Sequence, residues 1–365
     1  AQMAYTFNHD LLLNETDVAE ARKDFPNIVF ALHNPALKDV FRPIDQRAGA
    51  AKRKSRQWGV LAVGLATLAL MLAAGEVLYH DYSKSTVRLI ALLGAIAGIT
   101  SVFIGVFGVM FRARKIRWLA DRLTTERLRQ FHFQHYVAYA SDILDGAAEE
   151  SKARAYLRQR AEDFKKFKAD LVDRADDELN HLVHAEDPGE GLIFGKGRPV
   201  VPADAPNLDE YFNAYRVLRF DRQIGYCDLM LRERGAFWTY APVRQAKLIG
   251  NVAMFCVFAI LVLHGLVFVG AIADIPAMKG PAVHVAAIWA AIIALAARTI
   301  EEGFQPETEI ERLRQYRLSL RRIYDRFETT DDPQEKLRAM TDLEKLSFEE
   351  MILFLRGNYE AQYVM

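Results

Sequence analysis

Two histidine pairs are the first residues in this sequence with the spacing of a chemical site. His132-Phe133-Gln134-His135 and His181-Leu182-Val183-His184 each put two imidazoles three residues apart on a helix, the arrangement of half a metal centre. Neither pair has the cysteine or carboxylate companions that would complete a tetrahedral set, so both read as surface histidines. The two cysteines, Cys227 and Cys256, offer neither paired ligand spacing nor a disulfide framework. Gly195-Lys196-Gly197 has the glycines and lysine of a phosphate loop but not the rest of the motif. No dinucleotide fingerprint, nucleophile elbow or HExxH is present. The sequence therefore predicts no enzyme, no catalytic residue, no metal and no cofactor.

The remaining polar candidates stand inside apolar runs. Residues 58–78 are interrupted by a single charge, Glu76, and 89–111 contain none. Residues 248–273 carry only Asn251 and His264 as strongly polar positions, and 283–297 form a shorter fourth run whose helix extends to about residue 300. About 20 apolar residues of helix cross a hydrocarbon core of roughly 30 Å. An ionisable side chain in such a helix is costly and faces protein or water. A ring of carboxylates at a pore mouth favours cations. Glu76 is accordingly a pore-lining candidate, with an interfacial residue touching headgroups as the competing reading. Thr100, Ser101, Asn251 and His264 are weaker lining candidates, which polar packing contacts explain as well.

Small residues mark a second pattern. Ala62, Ala66, Ala69 and Ala73 in the first run, and Gly94, Gly98, Ser101, Gly105 and Gly108 in the second, recur at spacings of three and four. Each set lies on one helix face and permits close backbone approach between helices in lipid. They read either as two seams packed against each other or as a seam facing an axis shared by several subunits.

The elements that position these residues follow from the segregation of charge. The 365 residues hold 47 basic and 47 acidic side chains, so no surplus points to double-stranded nucleic acid. Residues 79–88 join the first two runs and 274–282 the last two, which predicts antiparallel neighbours. Arg47, Lys52, Arg53, Lys54 and Arg56 precede the first run, and Arg112, Arg114, Lys115 and Arg117 follow the second. Arg232, Arg234, Arg244 and Lys247 precede the third. The connecting turns are poorer in basic residues, which places both termini in the cytoplasm. No signal peptide is recognised before the first run, so the Asn14-Glu15-Thr16 sequon is expected in the cytosol.

The fold class expected is an all-α membrane protein. Two transmembrane helical hairpins, four membrane helices in all, are each followed by long cytosolic helices. The boundaries are a cytosolic segment at 1–46, of undecided role, and a first hairpin unit at 47–187 with spans near 58–78 and 89–111. A Pro- and Gly-rich linker follows at 188–207, then a second unit at 208–365 with spans near 248–273 and 282–300. Between 112 and 187 there is no proline and one glycine, Gly146. A single helix of that length would extend about 110 Å, and a break near Asp145-Gly146 is expected instead.

An internal repeat supports the two-unit reading. Glu126-Arg127-Leu128-Arg129-Gln130-Phe131 recurs as Glu311-Arg312-Leu313-Arg314-Gln315-Tyr316, each copy shortly after a pair of apolar runs. Arg127, Arg129, Arg312 and Arg314 are candidates for contacting an anionic signal just inside the membrane. Salt bridges to acidic neighbours on the same helices explain them equally well.

Two-helix hairpins, a basic approach and a long helix carrying Glu126-Arg-Leu-Arg-Gln130 resemble the SLATT family. Its members are two-transmembrane effectors associated with SMODS nucleotidyltransferases and SLOG sensors in bacterial defence loci. Phe41-Arg-Pro-Ile-Asp45-Gln-Arg-Ala48 and Arg222-Gln-Ile-Gly-Tyr226 resemble the family's pre-membrane segments. The resemblance runs from about residue 40 to the end; the tandem of hairpins departs from the family's single one. It implies a homo-oligomeric pore-forming effector in the bacterial inner membrane, multi-pass and silent until an infection signal arrives. A nucleotide second messenger, or a nucleotidyltransferase or sensor partner, would supply that signal. A membrane-anchored scaffold that recruits soluble partners without conductance is the second expectation. A secondary transporter is the third; repeats suit it, but four spans and no broken membrane helix do not.

Overall fold

The computed structural model describes residues 9–79, 83–109, 112–171, 174–194, 200–202, 204–232 and 241–361, with side chains at 108, 109, 112 and 113 left aside. Gly195-Lys196-Gly197 and Arg234 lie outside the described residues. Within them the chain is helical and has no strand. In chain order the helices are α1 (Glu15–Asp24), α2 (Val29–Leu32), α3 (Pro35–Ala74), α4 (Lys84–Ile104) and α5 (Arg112–Ala138). Next come α6 (Ala140–Ala148), α7 (Glu150–Leu171), α8 (Ala175–His184), α9 (Leu208–Tyr215) and α10 (Asp221–Met230). The last four are α11 (Pro242–Ile272), α12 (Pro281–Phe304), α13 (Pro306–Thr329) and α14 (Pro333–Glu360). Two π-helical stretches interrupt the α geometry, Gly105–Val109 after α4 and Arg216–Phe220 between α9 and α10.

Compactness divides this chain differently from the order of its repeats. One unit comprises 1–49, 115–231 and 311–360; the other comprises 50–114, 232–310 and 361–365. The first is a water-soluble type of core. Leu11, Leu12, Phe25, Ile28, Leu32, Leu37 and Phe41 are all nearly inaccessible, so the N-terminal segment is core and not an appendage. Asn14 caps α1 in a reciprocal box with Asp17, which fixes how that segment starts. Tyr136 of α5 and Tyr211 of α9 stack with centroids 4.5 Å apart and planes 4° from parallel. Each hydroxyl donates to the other residue's backbone carbonyl at 2.9 Å, so two buried phenols satisfy each other.

The expected interruption around Gly146 falls on either side of it. The helices break at Tyr139 and Glu149, and α6 folds back onto α7. Gly146 stays helical because its bare Cα is what lets the two helices meet. A Cβ there would sit 2.9 Å from both the Ala153 Cα and the Phe30 ring. Gly225 in α10 has nothing within 4 Å of the same position. Alanine favours a helix interior over glycine by about 1 kcal/mol. Gly225→Ala is thus expected to raise the melting temperature, and Gly146→Ala to lower it because the crowding outweighs propensity. Equal shifts for the two variants would refute this packing argument.

The second unit inverts the usual arrangement. Its four helices are long and apolar enough to cross a membrane, yet only 11–17% of the most apolar stretch of each is buried. Among the described residues, every exposed large hydrophobic side chain except Val200, Leu229, Leu318 and Leu353 belongs to this unit. Ile99, Met254, Phe255 and Ile272 are more than 70% exposed. What the unit buries is small or singular. Ile249, Ala253, Ala297 and Phe304 form one buried cluster in it, with Val60, Val63 and Ile300 against them. α11 and α12 run along each other in an extensive contact. The Trp289 indole of α12 donates to the Met71 carbonyl of α3 at 2.9 Å.

Candidate functional site

The small-residue seams come close over part of their length, at Gly94 and Gly98. A Cβ at Gly94 would touch Leu72 at 3.6 Å, and one at Gly98 would touch Ala69 at 3.6 Å, both ordinary contact distances. Ala62 is buried, Ala66 and Ala69 are half-buried and Ala73 is exposed. Gly105 has no neighbour within 4 Å, and the surroundings of Gly108 are not described. Of the polar candidates, Ser101 is buried and donates to the Ala62 carbonyl at 2.7 Å, which makes it a tie between α3 and α4. Thr100, Asn251 and His264 point out of the unit into exposed positions. The His264 Nδ1 donates to the Ile260 carbonyl, one helical turn back, at 2.9 Å. Glu76 is exposed at the start of the 3₁₀ turn Glu76–Tyr79 that follows α3.

The repeated arginine motif keeps its core register and diverges in its charges. Leu128, Leu313 and Phe131 are fully buried, and Tyr316 is buried at the matching aromatic position. Arg127 and Arg312 both stack on rings of α14, over Phe348 at 5.2 Å and over Phe354 at 5.1 Å. Arg127 also donates to the Gly191 carbonyl at 3.0 Å. Gly191 has φ +69°, and a Cβ there would run into the Phe348 ring. Arg312 is paired with Glu350. Arg129 is buried between two carboxylates, Asp10 Oδ2 and Glu126 Oε2, each at 2.8 Å. Burial opposes its charge, but these two carboxylates outweigh it and hold the guanidinium firmly protonated. Burial opposes the Glu126 charge as well, yet Arg122 and Arg129 hold that carboxyl down to about 2. Arg314 is exposed. The four arginines do not converge; three are engaged inside the soluble-type unit.

One buried constellation escapes the sequence reading. Arg219, in the π-helical stretch, forms a bidentate pair with Glu344 of α14, at 2.8 Å and 3.0 Å. The two side chains are only 2% and 1% exposed. The Tyr215 hydroxyl donates to Glu344 Oε1 at 2.8 Å, and the Arg219 guanidinium lies over the Phe133 ring at 4.6 Å. The irregular turn aims this arginine inward, a frequent use of π geometry. All its groups are mutually satisfied, so the cluster fastens α14 to the centre of the unit and leaves no reactive atom free. Its signal in the sequence was a glutamate on an apolar stripe, since Leu337, Met340, Glu344, Phe348, Met351 and Leu355 are all buried.

The histidine pairs also separate. His181 and His184 are exposed, as expected, whereas His132 and His135 are buried. This corrects the surface reading of the first pair. Among the described residues no group of three potential metal ligands assembles. His135 Nδ1 lies 3.2 Å from the Tyr156 hydroxyl, and its ring stacks on Tyr139. Burial, reinforced by Arg160, pushes both His132 and His135 down to about 3. Unfolding releases them to an ordinary histidine near 6.5, so the unfolded chain takes up more protons below that pH. The stability they contribute is complete above about pH 6.5 and drains away as the pH falls toward 3, by roughly 1 kcal/mol per pH unit for each. Between pH 6.5 and 4.5, before Glu126 contributes, the melting temperature should fall more steeply for the wild type than for His132→Leu. Parallel curves would contradict a buried neutral His132.

No protein-family model matches this chain, and no curated protein or solved structure does.

Proposed function

We propose that the protein is an oligomeric pore-forming membrane effector, with the four apolar helices of each copy arranged as two membrane hairpins and both termini in the cytoplasm. The observation that carries this reading is the surface of the second unit. It is dominated by exposed large hydrophobics, yet Thr100, Asn251 and His264 stand exposed among them. Lipid suits the hydrophobics and is a poor solvent for polar groups, whose presence in a span marks contact with protein or a water-filled path. A second copy seated on these positions, or water along an axis, accommodates them. Gly64, Gly105, Gly250 and Gly265 have open space where a Cβ would be, which permits close helix approach.

In this reading the soluble-type unit receives the signal, and the resemblance to the SLATT family makes that signal a nucleotide or a sensor protein. The role would be antiviral defence at the bacterial inner membrane. Arg314 is the motif arginine exposed for contact with such an anion. Glu76 sits at the end of its span and would line the outer mouth. Purified protein in liposomes loaded with potassium should release it when cyclic dinucleotides are added on the side of the soluble-type unit. Glu76→Gln should lower the preference for cations over anions several-fold. Vesicles that stay sealed would favour the scaffold; unchanged selectivity would remove Glu76 from the lining.

A further inference from the structure

Five basic residues precede the first apolar run, and the structure sorts them. Arg47 is committed to Asp121 at 2.6 Å, and Arg56 lies over the Phe304 ring at 5.1 Å. Lys52 is engaged by other groups. Arg53 and Lys54 are exposed and have no partner among the described residues. Both line an open groove of about 520 Å³ on α3, together with Ala50, Gln57, Trp58 and Leu61.

The order of these side chains along the helix carries the argument. They recur at spacings of three and four, so they share one face. At 1.5 Å per residue, Arg53 to Leu61 covers about 12 Å along the axis. Over that distance the groove changes from two free cations, through an amide and an indole, to an exposed leucine. An anionic glycerophospholipid has the matching sequence of groups: a phosphate, a polar glycerol-ester layer and an acyl chain. Tryptophan is the residue that prefers the middle layer, and basic residues on the cytoplasmic flank attract anionic lipid. A soluble phosphate compound would use the cations but leave Trp58 and Leu61 without a role.

We propose that this face of α3 binds one anionic glycerophospholipid, its phosphate held by Arg53 and Lys54 and its ester region and acyl chain lying along Trp58 and Leu61. The proposal rests on the membrane reading above. Full-length protein would be reconstituted in phosphatidylcholine vesicles with brominated phosphatidylglycerol in increasing fraction, and tryptophan quenching followed. A parallel series would use brominated phosphatidylcholine.

The wild type should be quenched at lower fractions of the anionic lipid than of the neutral one, and Trp58→Phe should remove that difference. Arg53→Gln/Lys54→Gln should need an anionic fraction roughly tenfold higher for the same quenching. Lys84→Gln/Arg88→Gln, outside the groove, should behave as wild type. Quenching by both lipids without preference would overturn the lipid site and leave the membrane reading standing. Absence of quenching by either would overturn both. Reversal of the preference by glycerol 3-phosphate in solution would assign the cations to a free phosphate and also overturn the proposal.

Discussion

Leu261→Arg is expected to remove most of the protein from the membrane fraction. Leu261 is 69% exposed, near the middle of the apolar stretch of α11. On a water-facing surface such a change shifts stability by no more than about 0.5 kcal/mol. At the centre of a bilayer, arginine costs about 2.5–3.5 kcal/mol on insertion scales, on the order of a hundredfold in partition. Leu318→Arg is the control, because Leu318 is 60% exposed in the soluble-type unit and should change nothing. The measurement is the share of protein sedimenting with membranes after an alkaline wash. Equal recovery of the two variants would mean that the outward face of α11 does not meet lipid.

The second large effect concerns Glu344. Glu344→Ala leaves the Arg219 guanidinium buried without its counter-charge and takes from Tyr215 the carboxylate it donates to. Removing one partner of a buried pair costs about 3–5 kcal/mol. Against the few kcal/mol that hold a domain folded, this should melt the soluble-type unit or lower its melting temperature severely. The double variant Arg219→Met/Glu344→Leu deletes both charges and should recover most of the loss, since apolar replacements of such pairs are often neutral. A single variant as stable as wild type would show that the pair contributes nothing; a double variant as damaged as the single would shift the explanation to packing.

The apolar helices are legible from composition alone. The spans expected near 58–78, 89–111, 248–273 and 282–300 fall within or closely overlap α3, α4 with its π extension, α11 and α12. Runs of that length with at most one charge leave little else for the chain to be. The repeat is equally legible at its core positions, because Leu128 and Leu313 occupy the same place in the helical period. Its charges are not. Arg129 is buried because Asp10, more than a hundred residues earlier in the chain, meets it, and among the described residues no equivalent carboxylate meets Arg314.

Gly146 shows the same limit from the other direction. A lone glycine suggests a helix end, but Ala153 and Phe30 use its missing side chain for packing while the helix continues. Division of the chain is hidden for a related reason. The N-terminal residues, α5 to α10 and α13 to α14 join one unit although the apolar helices separate them in sequence. Long-range partners of this kind leave no local periodicity to read.

Particle images of the full-length protein in lipid nanodiscs would show whether copies assemble around an open axis. Several copies related by rotation are expected, their apolar helices inside the disc and a lipid-free path along the axis in the stimulated form. Single copies, or rings whose axis is filled with lipid when stimulated, would contradict the proposed pore.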